Sequence, residues 1–289
     1  MNHQELLKRV RTIELKTRGL TQQVFSGEYQ SAFKGRGMSF SEVRSYQYGD
    51  EVRSIDWNVT ARFREPFVKV FEEERELTAM MIIDVSGSMY FGKNDESKIA
   101  TAVEAVATIG FSAAKKRDKV GAIFISDKIE RYIPPGKGVK HVYAILNALI
   151  FLEPKSKGTD LTFGMNYAVS LMRQRSICFL ISDFIDAREL KKPLVSAAGK
   201  HDFISIQITD QGESELPDLG FIRWRNNETG ALTWVDSSSA KVREEYAKNY
   251  IEKVQGNEDL FKSLRIDSCV LQGGQPVFFP LMHLFHRRR

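Results

Sequence analysis

The chain is short of several things, and each shortage narrows what it can be. Its 289 residues contain only two cysteines, Cys178 and Cys269. No disulfide framework can staple it, so its stability must come from a packed apolar core. Each cysteine lies in a strand-like run, Ile177-Cys178-Phe179-Leu180 and Ser268-Cys269-Val270-Leu271, and reads as a buried thiol in a reducing compartment. No apolar run is long enough to cross a bilayer. The opening residues, Met1-Asn2-His3-Gln4-Glu5, begin a polar helix with no leader-like apolar segment. A cytoplasmic protein is expected.

A strong charge of one sign is also missing. Lys and Arg number 42 against 37 Asp and Glu, and the two signs are interleaved. That balance does not by itself call for nucleic acid, and Arg287-Arg288-Arg289 reads as a solvated tail. Histidine is sparse and scattered, at 3, 141, 201, 283 and 286. His283-x-x-His286 sits among Leu284 and Phe285, which suggests helix packing rather than metal binding. No Gly-x-Ser-x-Gly elbow surrounds Ser86. Gly136-Lys137-Gly138 lacks the frame of a phosphate-binding loop. A nucleophilic triad or a nucleotide site therefore has no support, and the chain is expected not to be an enzyme.

What is present is one abrupt transition. The apolar run Ala79-Met80-Met81-Ile82-Ile83 ends in Asp84-Val85-Ser86-Gly87-Ser88. A short apolar run bounded by Gly reads as a buried strand. The three oxygen side chains then fall on the loop at its carboxyl end, where open α/β sheets bind ligands. A carboxylate and two hydroxyls are plausible hard ligands for Mg²⁺, which prefers octahedral oxygen and keeps several waters. Taken alone, Asp84, Ser86 and Ser88 could equally cap the next helix. Gly158-Thr159-Asp160 precedes another helix, however, and Ser182-Asp183 ends another apolar strand. Five oxygen side chains from three separated loops would meet at one sheet edge.

Periodicity supplies the frame. An amphipathic helix opens the chain and ends near Gly19. Residues 25–76 are irregular and strand-rich, with a strand at 67–71. Strands at 78–84, 120–125, 129–133, 177–182, 203–208 and 266–271 then alternate with helices at 97–116, 139–150, 161–173, 187–199, about 240–264 and from 276. This predicts an α/β fold with a mostly parallel central sheet and helices on both faces. A β-hairpin at 220–236 interrupts the alternation, turning at Asn226–Gly230. The expected organisation is an accessory segment 1–75, a core 76–210, a hairpin 211–237 packing with the accessory segment in a small β-rich lobe, and closing elements 238–289.

Asp84-x-Ser86-x-Ser88, then Thr159 in a Gly-Thr turn, then Asp183 after a core strand, resembles the metal-ion-dependent adhesion site of von Willebrand factor A-like domains. The resemblance implies that Ser86 and Ser88 ligate directly. It gives Thr159 direct or water-mediated ligation, with Asp84 and Asp183 acting largely through water. Asp160, where relatives often have Asn, would add negative charge behind the ligands. Mg²⁺ is the implied ion, with Mn²⁺ or Ca²⁺ as alternatives, and a partner carboxylate takes the sixth position.

A second likeness covers nearly the whole chain. Gly35-Arg36-Gly37, Glu42-Val43-Arg44-Ser45-Tyr46, Gly49-Asp50, Arg53-Ser54-Ile55-Asp56-Trp57 and Ala61-Arg62, together with Trp234-Val235-Asp236, resemble the bacterial family called domain of unknown function 58. That kinship implies a partner, a MoxR-type AAA+ ATPase or its client in protein remodelling or maturation. The arginines of this segment alternate with carboxylates, so bidentate pairs are favoured over phosphate binding. A metal-dependent hydrolase, a nucleic-acid binder using Arg and aromatics, and membrane docking through Phe278–Met282 with the terminal arginines remain the alternatives.

Overall fold

A computed structural model describes residues 3–24, 39–72, 77–92, 97–185, 190–225, 227 and 229–288. It separates into two units, residues 1–26 with 77–289, and residues 27–76.

In the larger unit the apolar strands meet as expected. The sheet runs β10-β7-β6-β3-β4-β5, built from Thr78–Asp84 (β3), Lys119–Ile125 (β4), Ile129–Lys137 (β5), Ile177–Ser182 (β6), Asp202–Thr209 (β7) and Asp267–Gln272 (β10). All neighbours are parallel except the edge pair β4–β5. Strands β3 and β6 are buried on both sides from Ala79 to Asp84 and from Ile177 to Ser182. That is why they read as continuous apolar runs rather than alternating ones.

The period of two assigns the faces. Met80, Ile82, Ile123, Cys178 and Leu180 pack with Leu161 and Met165 of helix α5 (Leu161–Leu171), Leu194 of α6 (Lys191–Lys200) and Phe261 of α8 (Ala240–Ser263). The opposite face takes α3 (Lys98–Lys115), α4 (Val139–Ile150) and α9 (Phe278–Arg287). Phe179 there meets Phe285 edge-on at 6.1 Å. Helices therefore cover both faces.

Two boundaries differ from expectation. Helix α1 (His3–Val24) runs past Gly19 and belongs with the sheet unit rather than with the accessory segment. Its Val10 is fully buried, and Arg9 pairs with Glu104 of α3 at 3.2 Å. The hairpin of β8 (Phe221–Arg225) and β9 (Leu232–Asp236) also falls in the sheet unit. Its strands pair with each other, and the hairpin groups with the sheet unit. Burial of its inner face decides this: Trp224 packs on Phe91 at 6.2 Å and on Tyr246 of α8 at 5.8 Å.

The smaller unit pairs β1 (Ser39–Ser45) with β2 (Phe67–Glu72) antiparallel. Gly35-Arg36-Gly37 lie outside the described residues. A helix, α2 (Trp57–Phe63), occupies a stretch that reads as non-helical. Asp56 caps it, accepting from the N–H groups of Asn58 (2.9 Å) and Val59 (3.2 Å). Arg44 and Asp50 form the anticipated fork, with two hydrogen bonds of 2.7 Å. The fork raises the arginine's pKa and holds the Asp50 carboxyl below its ordinary value.

Helix α3 approaches α4 through Gly110. A Cβ there would lie 2.8 Å from Val142 Cγ1, and a β-branched side chain in a helix cannot rotate away easily. Gly110→Ala should therefore destabilise the protein by about 1 kcal/mol, the crowding exceeding the gain in helix propensity. Urea unfolding tests this, and Val142→Ala should restore part of the loss.

Candidate metal-binding site

Strand order places the site. From β3 the chain crosses toward β4, and from β6 it crosses the other way toward β7. The carboxyl ends of β3 and β6 thus flank the crevice of a topological switch point. Asp84 ends β3, and Asp183 follows the end of β6.

Asp84 is fully buried. Its Oδ1 accepts from the Ser86 N–H at 2.9 Å. Its Oδ2 accepts from Ser182 Oγ at 2.6 Å, across the crevice. Burial, and secondarily the charge of Asp183, push the Asp84 carboxyl up to about 6. Ser86 Oγ and Ser88 Oγ lie 3.1 Å apart. The edge of an octahedron with oxygens at about 2.1 Å from Mg²⁺ is about 3 Å, so the two hydroxyls fit adjacent corners.

The third loop is tied to the first by backbone. Gly87 N–H donates to Lys157 O (2.8 Å), and Asp160 N–H to Ser126 O (3.0 Å), with half-buried Thr159 between those anchors. Glu130 braces the loop by accepting from the N–H groups of Lys155 (3.0 Å) and Ser156 (3.1 Å) and from Ser126 Oγ (2.8 Å). Burial opposes its ionisation, but these donors hold its carboxyl below the ordinary value. Asp160 has a local partner. Its carboxylate caps α5 by accepting from the Phe163 N–H at 2.8 Å.

Asp183 carries a feature the sequence reading missed. Its Oδ2 accepts from Lys98 Nζ at 2.6 Å, and the same ammonium donates to Glu213 Oε1 at 2.6 Å. The Lys98 side chain is wholly buried. Burial disfavours its charge, yet Asp183 and Glu213 outweigh that and raise its pKa. Glu213 is held by a capping box with Asp210 at the start of the short helix α7 (Gln211–Ser214). The available signal was a lysine in the first turn of a largely apolar helix, where the dipole disfavours a cation. Phe184, next to Asp183, adopts φ 49°, a left-handed conformation uncommon for a bulky residue. Its carbonyl accepts from Asn257 Nδ2 at 3.0 Å, and its ring packs edge-on to Phe261 at 5.0 Å.

A scan against protein-family models matches residues 42–255 to DUF58, a protein family of unknown function. The chain belongs to that family. It is similar to the uncharacterized protein Rv1480 of Mycobacterium tuberculosis (strain ATCC 25618 / H37Rv) and to Mb1516 of Mycobacterium bovis. Each is 29% identical over 246 residues, covering 84% of this chain and 77% of the relative. Among solved structures it is similar to the conserved hypothetical protein BatB from Bacteroides thetaiotaomicron, with TM-score 0.48 and 13% identity over 73% of this chain and 98% of that one. It is also similar to the SpRpn10 VWA domain, with TM-score 0.39 and 13% identity over 74% of this chain and 95% of that one. The fold assignment rests on the strand order above.

Two outcomes follow from the buried charges. Lys98→Met leaves Asp183 and Glu213 without their counter-charge and should cost about 3–5 kcal/mol in urea unfolding with chelator present. Asp84 carries a pKa raised above its unfolded value, so its favourable contribution is complete only below the unfolded value near 4 and is lost as pH rises through about 6. With chelator, the difference in stability between Asp84→Asn and wild type should grow in favour of the variant from pH 5 to 7.5. Parallel pH profiles for the two would contradict this reading.

Proposed function

We propose that this DUF58 protein is a non-enzymatic, metal-dependent protein-binding module. Ser86, Ser88, Thr159, Asp84 and Asp183 would hold one Mg²⁺, and a carboxylate of a partner protein would complete the coordination. The observation that carries the reading is the pair of hydroxyls 3.1 Å apart on a loop whose carboxylate, Asp84, is buried behind them. Both oxygens of Asp84 are already engaged, by the Ser86 N–H and by Ser182 Oγ. This suits a role through water or field rather than direct ligation. When bound, the ion would supply a Lewis-acidic centre whose charge, facing mostly neutral hydroxyls, favours an anionic incoming ligand.

The chain's own residues do the rest. Ser182 and the Ser86 N–H fix Asp84, Glu130 fixes the loop carrying Thr159, and Lys98 fixes Asp183. A hydrolytic reading would call for a general base beside these groups, and two of the described histidines stand elsewhere. His201 accepts from the Ser176 N–H (3.3 Å) just before β6 begins, at the opposite edge of the sheet. His141 lies against Gly136, whose strand partner is Val120 near the start of β4. The nucleic-acid reading loses Arg44, which is committed to Asp50. By family kinship the partner would be a MoxR-type AAA+ ATPase or its client.

Mg²⁺ in place of chelator should raise the unfolding temperature, by an amount corresponding to about 2.7 kcal/mol at a hundredfold excess over Kd. Asp84→Ala and the double variant Ser86→Ala/Ser88→Ala should lose that response. Immobilised wild type should retain the purified MoxR-type ATPase of the same organism in Mg²⁺ and release it in chelator. Coincident melts with and without Mg²⁺ would sink the metal reading. Retention unaffected by chelator would sink the bridging one.

A further inference from the structure

Hairpin β8–β9 has one packed face and one bare face. Its register pairs Phe221 with Asp236, Arg223 with Trp234 and Arg225 with Leu232. Residues paired directly across an antiparallel ladder share a face, so these six point the same way. On that face Phe221, Trp234 and Leu232 are 74%, 68% and 53% exposed. An apolar cluster this open on a rigid support marks an interaction surface. Trp and Arg are the residue types that most often dominate binding energy at interfaces. The support is rigid because Trp224 anchors the inner face, while Ser237 closes the base, accepting from the Leu219 N–H (2.9 Å) and donating to Gly220 O (2.7 Å).

The face is also cationic. Arg223 and Arg225 make no ion pair with any described residue. The carboxylate on that face, Asp236, is occupied by the N–H and hydroxyl of Ser238. The tip of the hairpin reaches the metal loop. A Cβ on Gly87 would lie 2.4 Å from Asn227 O, so the two backbones are in contact there. Beside that contact is a cavity of about 340 Å³ lined by Gly87, Tyr90, Lys157, Arg225 and Asn227. Cations therefore extend from the outer face of the hairpin to the rim of the site.

We infer that this face docks an extended segment of a partner protein in which acidic residues alternate with apolar ones, one of its carboxylates entering the metal site. The inference rests on the metal-site reading for that last carboxylate. The five-residue strands present about 17 Å, the reach of five or six extended residues. A second copy is disfavoured as occupant, since a two-fold contact would set the arginines of one face against those of the other.

The test is fluorescence anisotropy on the full chain, using a fluorescein-labelled peptide Glu-Leu-Glu-Phe-Asp-Leu-Glu and its Gln/Asn counterpart, each in Mg²⁺ and in chelator. Wild type should bind the acidic peptide at least about tenfold more tightly than the amide peptide. Arg223→Glu and Trp234→Ser, both at exposed positions, should each lose about tenfold while keeping the wild-type melting response to Mg²⁺. If these variants lose affinity but chelator changes nothing, the face stands and the metal bridge falls. If chelator abolishes binding and the variants bind as wild type, the metal bridge stands and the face falls. No binding of the acidic peptide by wild type overturns the inference. So does a dimer in sedimentation that Trp234→Ser dissolves, or a preference for anionic vesicles over the peptide.

Discussion

Everything at the carboxyl edge of the sheet depends on one electrostatic constraint: two carboxylates, Asp84 and Asp183, are buried at neighbouring strand ends. Like charges in a poorly solvated crevice repel, and neither is exposed enough to be relieved by water. The protein answers with an internal cation. Lys98 is delivered by the first turn of α3, against the sense of the helix dipole, and is tethered from the far side by Glu213. Asp84 is treated differently. It receives only neutral donors and stays strained toward protonation. The two carboxylates are therefore not equivalent: one meets an internal cation, and the other meets only neutral donors.

The surrounding architecture follows from that division. Parallel strands that diverge at β3 and β6 bring the two acids together, and the loop after β3 supplies hydroxyls rather than further charge. A set of neutral ligands holds a divalent ion less tightly than a cage of carboxylates, but leaves more of its charge to act on an arriving anion. The hairpin continues that logic outward, placing Arg225 beside the same loop, where Lys157 also lines the cavity, and an exposed Trp and Phe beyond. In this account the metal sets how strongly a carboxylate is held, and the hairpin sets which carboxylate-bearing segment is accepted.

Much of this was legible in the sequence, for physical reasons that differ by element. The core strands were readable because burial on both faces forces continuous apolar runs, and Asp84, Ser86 and Ser88 because one loop carries all three. Lys98 and Glu213 were not. They lie 85 and 115 residues from their partners; Glu213 has an ordinary local explanation in its capping box, and Lys98 shows only as a cation at the wrong end of a helix. The capping role of Asp160 at the start of α5 was not read from the sequence, where its neighbour Thr159 drew the attention. Helix α2 was hidden because Val59 and Thr60 favour strands and only the Asp56 cap argues otherwise. The hairpin was grouped with the accessory segment because it interrupts the alternation of strands and helices. An interruption in the alternation does not say what will bury Trp224, and Phe91 and Tyr246 do so.

The most direct measurement is water-proton relaxation with Mn²⁺ as the probe ion. One Mn²⁺ per chain should bind with enhanced relaxation from its exchangeable waters, and added acetate should reduce that enhancement as a carboxylate displaces water. Ser86→Ala/Ser88→Ala should abolish the effect. Enhancement that is absent in wild type, or that persists unchanged in the double variant, would contradict a hydroxyl-ligated metal with an open position at this sheet edge.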